Sequence, residues 1–270
     1  MGLVSVDLSG YTYFEHPTPL PLAHRGGAAL PGMEHLENTM AAFRAAVALG
    51  FRYLETDVHA SADGVVYAFH DADLSRLSGS PDAIANLPSE QVDSVRLGAQ
   101  RGESEPIPRL STLLEELPRT RLNIDVKSDH ALEPTLQILR EHDALDRVCL
   151  ASFSGRRLRR IRELAPEVAT STGPLEVAAL RIGPLRWLRA HAVRSGAQCL
   201  QVPVRRGPVT VVTERFVAHA HELGMQVHVW TVDDPAEMRS LLRIGVDGIV
   251  TDRPDVLRDV LIETGDWRAS

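Results

Sequence analysis

From residue 20 onward, short β-rich runs alternate with amphipathic segments that have helical spacing. This alternation is typical of βα units, in which a helix joins each strand to the next parallel strand. The predicted strands are 22–24, 51–58, 65–69, 121–126, 148–153, 168–172, 198–202, 226–232 and 248–251. The predicted helices run from 38 or 39 to Gly50 and over 110–117, 132–142, 155–164, 185–195, 213–223 and 235–243.

The strand pattern contains one strand more than a closed eight-stranded barrel needs. The third predicted strand starts too soon after the second for a parallel crossover, which takes a dozen or more residues. Asp63-Gly64 between them is instead a hairpin signal. A turn centred there places Asp57 opposite His70. We therefore expect an α/β fold, a (β/α)8 TIM barrel with a β-hairpin and a small loop insertion at the C-terminal face.

Length and composition agree with one large core. The chain has 270 residues, a normal length for one α/β barrel, and 44% of them are hydrophobic. We expect a single domain over residues 1–270, with the barrel at about 21–258 and residues 78–108 as a loop or small cap over its mouth. Cys149 and Cys199 lie in apolar runs and are expected to be buried structural thiols.

Charge and hydropathy limit the class of partner. The formal net charge of -7 is spread along the chain without a long acidic or basic block, which argues against nucleic acid. No apolar run approaches the ~18 residues of a membrane span. The N-terminus also lacks a basic region followed by an apolar one. We expect a cytoplasmic protein without stable membrane insertion that acts on a small molecule; the oligomeric state stays open.

Several candidate site residues fall at the carboxyl ends of predicted strands, where α/β barrels place their active sites. These residues are His24, Glu55, Asp57, Asp125, Lys127, Phe153, Gln201 and Trp230. Their agreement in position across several strands indicates one common site.

The acids among them suggest a metal site. Glu55 and Asp57 are two residues apart on a strand, so both carboxylates point to one face, where they repel each other unless a cation intervenes. Asp125 adds a third carboxylate. Oxygen ligands without a cysteine favour one divalent cation, Mg²⁺, Ca²⁺ or Mn²⁺, over structural zinc. The alternative is a salt-bridge network with Arg25 and Lys127.

The basic residues suggest acid–base chemistry on an anion. His24 and His70 flank the acids and can act as proton donor and acceptor near neutral pH. Arg25 and Lys127 can clamp a phosphodiester, or simply neutralise the acids. His59 lies beyond the acids toward the hairpin turn and is expected at the surface.

Four further residues are candidate contacts or supports. Glu37 is expected to buttress Arg25 or to favour the N-terminus of the first helix. Trp230 is expected to form a wall for the alcohol part of a substrate, with core packing as the alternative. Phe153 and Gln201, also at predicted strand ends, are further candidate substrate contacts.

Taken in order, these segments resemble the glycerophosphodiester phosphodiesterase family over about residues 21–258, nearly the whole chain. The matching segments are His24-Arg25-Gly26, Leu36-Glu37-Asn38-Thr39, Glu55-Thr56-Asp57, Asp63-Gly64, His70-Asp71, Asn123-Ile124-Asp125-Val126-Lys127, Trp230-Thr231-Val232 and Gly245-Val246-Asp247-Gly248-Ile249-Val250-Thr251-Asp252-Arg253-Pro254.

The resemblance implies metal-dependent hydrolysis of glycerophosphodiesters to sn-glycerol 3-phosphate and an alcohol on a phospholipase-C-like barrel. It implies His24 and His70 as general acid and base, and Arg25 and Lys127 as phosphate contacts. Glu55, Asp57 and Asp125 would be the metal ligands.

Three departures from the family pattern accompany this resemblance. The stretch from Ala28 to His35 is longer than the compact form of that loop, which implies a reshaped substrate mouth. Asp125 stands where the family usually has glutamate, and its shorter side chain implies that a cation is held differently or through a water. Leu36 stands in place of a proline. Two alternatives stay open: a lysophospholipase D or sphingomyelinase-D-like enzyme on the same barrel, and a non-catalytic barrel that binds phosphorylated ligands.

Overall fold

The computed structural model describes residues 5–99, 102, 104–182 and 195–268. Its strands are β1 (Leu20–Ala23), β2 (Tyr53–Ala60), β3 (Val66–Ala68), β4 (Arg96–Leu97), β5 (Glu105–Pro106), β6 (Arg121–Val126), β7 (Val148–Ala151), β8 (Ala169–Thr170), β9 (Cys199–Pro203), β10 (Arg205–Arg206), β11 (Val209–Thr210), β12 (Gln226–Trp230) and β13 (Gly248–Thr251). Its helices are α1 (Met40–Ala48), α2 (Ser75–Ser78), α3 (Ser89–Ser94), α4 (Leu110–Glu116), α5 (Asp129–Glu141), α6 (Gly155–Leu164), α7 (Pro174–Ile182), α8 (Glu214–His221), α9 (Pro235–Arg243) and α10 (Pro254–Thr264). Most of the predicted helix 185–195 lies outside the described residues.

Eight strands form the barrel wall. They follow the order β8-β7-β6-β2-β1-β13-β12-β9, and each neighbouring pair is parallel. A parallel bridge between Ser171 and Cys199 links the two ends of this order. The predicted (β/α)8 barrel is therefore confirmed. Its longest strands, β2 and β6, are buried along almost their whole length, since parallel strands are covered on both faces.

The extra strand is the return arm of a hairpin, as predicted, but the predicted register is wrong by one residue. β3 pairs antiparallel with β2, and Val58 lies opposite Ala68. The carbonyl oxygen of Asp57 therefore accepts a hydrogen bond from the N–H of Phe69, at 2.9 Å, rather than pairing with His70. The connecting loop holds an odd number of residues, 61–65, and is centred on Asp63. His70 follows directly and still reaches the level of the acids.

The chain between this hairpin and α4 builds a small subdomain beside the barrel. Its apolar side chains form a cluster of their own with two residues of the hairpin; the members are Tyr67, Phe69, Leu74, Leu77, Ile84, Val92, Leu97 and Ile107. This packing fixes the position of α2 next to His70. The extent of the domain and of the predicted cap over 78–108 stays a prediction.

Cys149 and Cys199 are both free and buried, which confirms that they are core thiols. Among the described residues, no helix is long and apolar enough to cross a membrane. The cytoplasmic location stays a prediction.

Candidate active site

A cavity of about 620 Å³ opens at the carboxyl ends of the barrel strands. Its wall contains His24, Arg25, Glu55, Asp57, His70, Asp125, Lys127, Phe153, Gln201 and Trp230. The structure thus brings together the residues that the strand pattern placed at one end of the barrel. Glu37 lies behind this wall and contacts Arg25.

A tight turn directly after β1 carries the first two site residues. His24–Gly26 is a single 3-10 turn in which Arg25 has a φ of 51° and Gly26 a φ of 83°. A Cβ on Gly26 would lie 2.8 Å from the Cβ of Ala42, so the turn can pack against α1 only with glycine there. The backbone N–H of Arg25 donates to Glu55 Oε2 at 3.1 Å, which ties the turn to β2.

Each candidate catalytic histidine is held through Nδ1 by a carboxylate. His24 Nδ1 lies 2.7 Å from Asp252 Oδ1, and His70 Nδ1 lies 2.8 Å from Asp71 Oδ1. Such a bond fixes the tautomer and the ring orientation and leaves Nε2 for proton transfer. No role was predicted for Asp252 or Asp71, although both stand inside the motifs named above.

The surroundings of His24 favour its charged form. Burial opposes protonation, but the carboxylates of Glu55 and Asp252 outweigh it and raise the pKa of His24. Glu55 Oε2 lies 3.8 Å from His24 Nε2. The ring therefore stands between two acids, one on each nitrogen.

The ammonium of Lys127 lies between two of the three predicted metal ligands. Its Nζ is 2.6 Å from Asp57 Oδ1 and 2.8 Å from Asp125 Oδ2. Asp57 Oδ2 is held as well, at 3.2 Å from Arg25 Nε and 3.2 Å from Asn38 Nδ2. The salt-bridge network that the sequence left open as an alternative is thus present in the structure.

Three neighbouring acids differ in pKa because their partners differ. Burial works against ionised Asp57, but Lys127 and Arg25 outweigh it and lower its pKa. Burial raises the pKa of Asp125, and the ammonium of Lys127 offsets this rise only in part. Burial and repulsion from Asp57 raise the pKa of Glu55 to about 7. Among the three acids, the ionised form is therefore disfavoured at Glu55 and Asp125.

The fit of a divalent cation follows from these contacts. Asp125 Oδ1 is buried and has no hydrogen-bond partner among the described residues. Together with Glu55, it supplies the oxygen chemistry that Mg²⁺ and Ca²⁺ prefer. No group of three or more His, Cys, Asp and Glu side chains in the described part of the chain converges as a finished metal site. The donor set fits a hard cation, provided that Lys127 gives up its place between Asp57 and Asp125.

Arg25, a predicted phosphate contact, is itself held by an acid. Arg25 Nη1 donates to Glu37 Oε1 at 2.9 Å, in agreement with the prediction that Glu37 buttresses Arg25. Burial lowers and the surrounding carboxylates raise the pKa of Arg25, and the carboxylates prevail. Glu37 also binds Arg76, a residue that sequence reasoning missed.

Phe153 and Trp230 form an aromatic wall of the cavity. Phe153 is 68% exposed, and its ring meets that of Trp230 edge to face at a centroid distance of 5.8 Å. Lys127 Nζ lies 5.9 Å from the centroid of the Phe153 ring. On the cavity floor, Gln201 Nε2 donates to Asn123 Oδ1 at 2.7 Å. Trp230 lines the cavity and also packs against a core cluster, so the core packing foreseen for it is present, and its contact with the alcohol part of a substrate stays a prediction.

His59 departs from its predicted place at the surface. Its side chain is half-buried, and Nε2 is hydrogen-bonded to the carbonyl oxygen of His70 at 3.3 Å. The prediction is wrong because β2 extends to Ala60 and β3 returns beside it, which covers residues near the turn. His59 thereby supports the backbone that presents His70.

Fold and site together define an α/β barrel with acids, histidines and cations gathered at the carboxyl ends of its strands. Comparison with known proteins makes the class specific. Residues 24–256 match the model of the glycerophosphoryl diester phosphodiesterase family. The chain belongs to this family.

Individual relatives agree over nearly the whole chain. A probable glycerophosphodiester phosphodiesterase 2 of Mycobacterium tuberculosis is 43% identical over 267 residues, covering 94% of this chain and 95% of that protein. A putative glycerophosphoryl diester phosphodiesterase from Silicibacter pomeroyi has a similar structure, with a TM-score of 0.78, 25% identity and coverage of 94% and 97%. A phosphodiesterase of Oleispira antarctica, solved with the product sn-glycerol-3-phosphate, shares the fold at a TM-score of 0.76 and 22% identity, covering 91% and 97%.

Proposed function

We propose that this protein hydrolyses glycerophosphodiesters to sn-glycerol 3-phosphate and an alcohol by metal-dependent acid–base catalysis. Membership of the family and the name of the Mycobacterium tuberculosis relative support the reaction class. One observation carries the catalytic assignment. Two histidines line one cavity with Arg25 and Lys127, and each is oriented through Nδ1 by its own carboxylate.

His24 and His70 act as the acid–base pair in this proposal. One takes a proton from the nucleophile, and the other gives a proton to the departing alcohol oxygen. The nucleophile is water or the glycerol 2-hydroxyl, the latter by way of a cyclic phosphate. A binding module without catalysis has no need for two carboxylate-oriented histidines, so this arrangement favours an enzyme.

The cationic side chains hold the phosphoryl group in this proposal. Arg25 and Lys127 contact its oxygens and stabilise the charge that grows on them during the reaction. Glu55, Asp57 and Asp125 hold the divalent cation, Mg²⁺, Ca²⁺ or Mn²⁺, whose chemistry when bound is Lewis-acid polarisation of the phosphoryl group.

The alcohol part of the substrate is proposed to lie along the aromatic wall. Phe153 and Trp230 offer apolar faces next to the phosphate-binding cations, and Gln201 adds a polar group on the floor. The leaving alcohol is therefore recognised mainly by shape and apolar contact.

A turnover assay tests the proposal. Purified protein is incubated with glycerophosphocholine, and sn-glycerol 3-phosphate is measured by a coupled enzyme assay, with and without EDTA. We expect product that EDTA abolishes and that added Mg²⁺, Ca²⁺ or Mn²⁺ restores. Product formation that survives EDTA contradicts the metal role. A faster release of choline from lysophosphatidylcholine would favour the lysophospholipase D alternative.

A further inference from the structure

Arg76 joins two carboxylates that come from different parts of the chain. It lies in α2, and its Nη1 and Nη2 donate to Glu37 Oε2 and Oε1 at 3.0 and 2.6 Å. Its Nε donates to Asp71 Oδ2 at 2.6 Å. The two Nη atoms of the guanidinium therefore bind one carboxylate, and its Nε binds another.

Each of these two acids also binds one residue of the candidate active site. Asp71 uses its other oxygen, Oδ1, to bind His70 Nδ1 at 2.8 Å. Glu37 Oε1 also accepts from Arg25 Nη1 at 2.9 Å. Arg76 is thus one contact behind a proton-transferring histidine and one contact behind a phosphate-binding arginine.

We propose that Arg76 is a positioning residue that couples the orientation of His70 to that of Arg25. This inference rests on the proposed function, which assigns roles to His70 and Arg25. Arg76 is 47% exposed at its side chain, so its charge contributes little to stability through screened attraction. Its contribution is directional, because the N–H groups of a planar guanidinium point in fixed directions and so orient both carboxylates.

The small subdomain beside the barrel holds Arg76 in place. α2 is packed by the apolar cluster of the small subdomain, which includes Leu74 and Leu77 on either side of Arg76. That packing fixes the guanidinium relative to the hairpin that carries His70. A displacement of α2 would disturb the contacts of Arg76 with Asp71 and Glu37, and through them the positions of His70 and Arg25.

The test compares Arg76→Gln with a matched control, Arg109→Gln. Arg109 belongs to the same subdomain region, forms a two-point contact with Asp93, and is 42% exposed. We expect Arg76→Gln to lower kcat about tenfold and to raise KM several-fold, since misplaced reacting groups cost rate steeply. Arg109→Gln is expected to stay within about twofold of wild type in both constants. Equal effects of the two substitutions, or none from Arg76→Gln, would overturn the proposal.

A comparison of a triple mutant with its parent double mutant separates coupling from general damage. We expect Asp71→Asn to act mainly on kcat and Glu37→Gln mainly on KM. In the Asp71→Asn/Glu37→Gln background, adding Arg76→Gln should change neither constant by more than about twofold, because its partners are gone. A full additive loss there contradicts the inference. Arg76→Lys should recover little, since a single ammonium nitrogen cannot reproduce the two-point contact with Glu37 together with the separate contact with Asp71; full recovery would also contradict the inference.

Calorimetry with sn-glycerol 3-phosphate gives a reading that does not depend on turnover. Arg76→Gln should weaken binding several-fold through the loosened Arg25, whereas Arg109→Gln should not. If the wild-type protein turns over no glycerophosphodiester while this contrast persists, the proposed function fails and the positioning role stands. If turnover is present and the contrast is missing from both kinetics and binding, the positioning role fails.

Discussion

Asp57 and Asp125 are direct partners in the register of β2 and β6, and the ammonium of Lys127 lies between their carboxylates. Lys127 is the single lysine among 29 lysines and arginines of the chain. A compact ammonium on a flexible stem fits between two close carboxylates on neighbouring strands. The same three groups are therefore a salt-bridge network in the structure and, in the proposed function, a phosphate contact and two metal ligands.

Removing Lys127 should destabilise the protein at neutral pH. Lys127→Met leaves two buried acids without their shared counter-charge, which costs about 3 kcal/mol. The pKa of Asp57 is lowered in the folded protein. Its ionised form therefore contributes stability above the unfolded value, and this is lost as pH falls through the lowered pKa. The deficit of Lys127→Met should accordingly shrink in acid.

Urea unfolding of both proteins at several pH values measures this difference. A matched control is Arg44→Met, which removes an exposed cation from its pair with Glu116, in which the two side chains are 54% and 40% exposed. That variant should lose well under about 1 kcal/mol at every pH. A deficit of Lys127→Met that is constant with pH would contradict the argument.

Cation binding should displace Lys127 from the acids. Burial opposes the charged ammonium, but Asp57 and Asp125 outweigh it and raise the pKa of Lys127. A cation that takes over these carboxylates removes that support, so the pKa of Lys127 should fall. Because the chain has one lysine, protein labelled with ¹⁵N-lysine gives a single side-chain signal, whose titration reports the shift directly. An unchanged signal at a Ca²⁺ concentration that calorimetry shows to be saturating would exclude displacement.

Cation affinity should rise with pH through about 7, the value to which the pKa of Glu55 is raised. Below this pKa the carboxyl group holds a proton in the folded protein, and a cation binds only its ionised form. Binding therefore releases a proton, and affinity grows as the proton is lost. Titration calorimetry in buffers of different ionisation enthalpy counts the released protons. Glu55→Gln should abolish the release that centres there; persistence of the same release would assign it to another group.

Asp252 should determine both the charge and the orientation of His24. Glu55 and the Asp252 carboxylate bound to Nδ1 together outweigh burial, so the pKa of His24 lies above its usual value. Asp252→Asn keeps the shape but removes the charge, so the pKa should fall, and kcat should drop by on the order of 10². The ring signals of His24 in an NMR pH titration measure the first effect. Asp247→Asn, which loses a carboxylate bonded to the exposed His221, is the control.

Much of this site was predictable because strand periodicity and strand ends are local features. Glu55 and Asp57 share a face because they are two residues apart, and the βα alternation placed them, with Asp125, at one end of the barrel. The exact pairing of the hairpin was not predictable, since one additional loop residue shifts the register and Asp63-Gly64 alone does not fix the loop length.

The hydrogen-bond and ion-pair partners of the site residues were harder to predict from the sequence. Asp252 is 228 residues from His24 along the chain, and only the closure of β1 against β13 brings them together. Arg76 is close to His70 in sequence, but its reach to Glu37 depends on the packing of α2. Side-chain conformations such as that of Lys127 follow from the charges on neighbouring strands, which no local spacing encodes.

Gly26 should be irreplaceable for a reason that distinguishes it from other glycines. Gly26 and Gly32 have nearly the same positive φ, 83° and 84°, so alanine strains the backbone at both by about 1 kcal/mol. A Cβ at Gly32 meets nothing within 4 Å, whereas one at Gly26 would lie 2.9 Å from the backbone N of Phe43 at the start of α1. This overlap should cost a further ~1–3 kcal/mol and displace the turn that carries His24 and Arg25. Urea unfolding and turnover assays of Gly26→Ala and Gly32→Ala measure the difference. Equal losses in the two variants would show that the strained φ, and not the contact with α1, demands glycine at position 26.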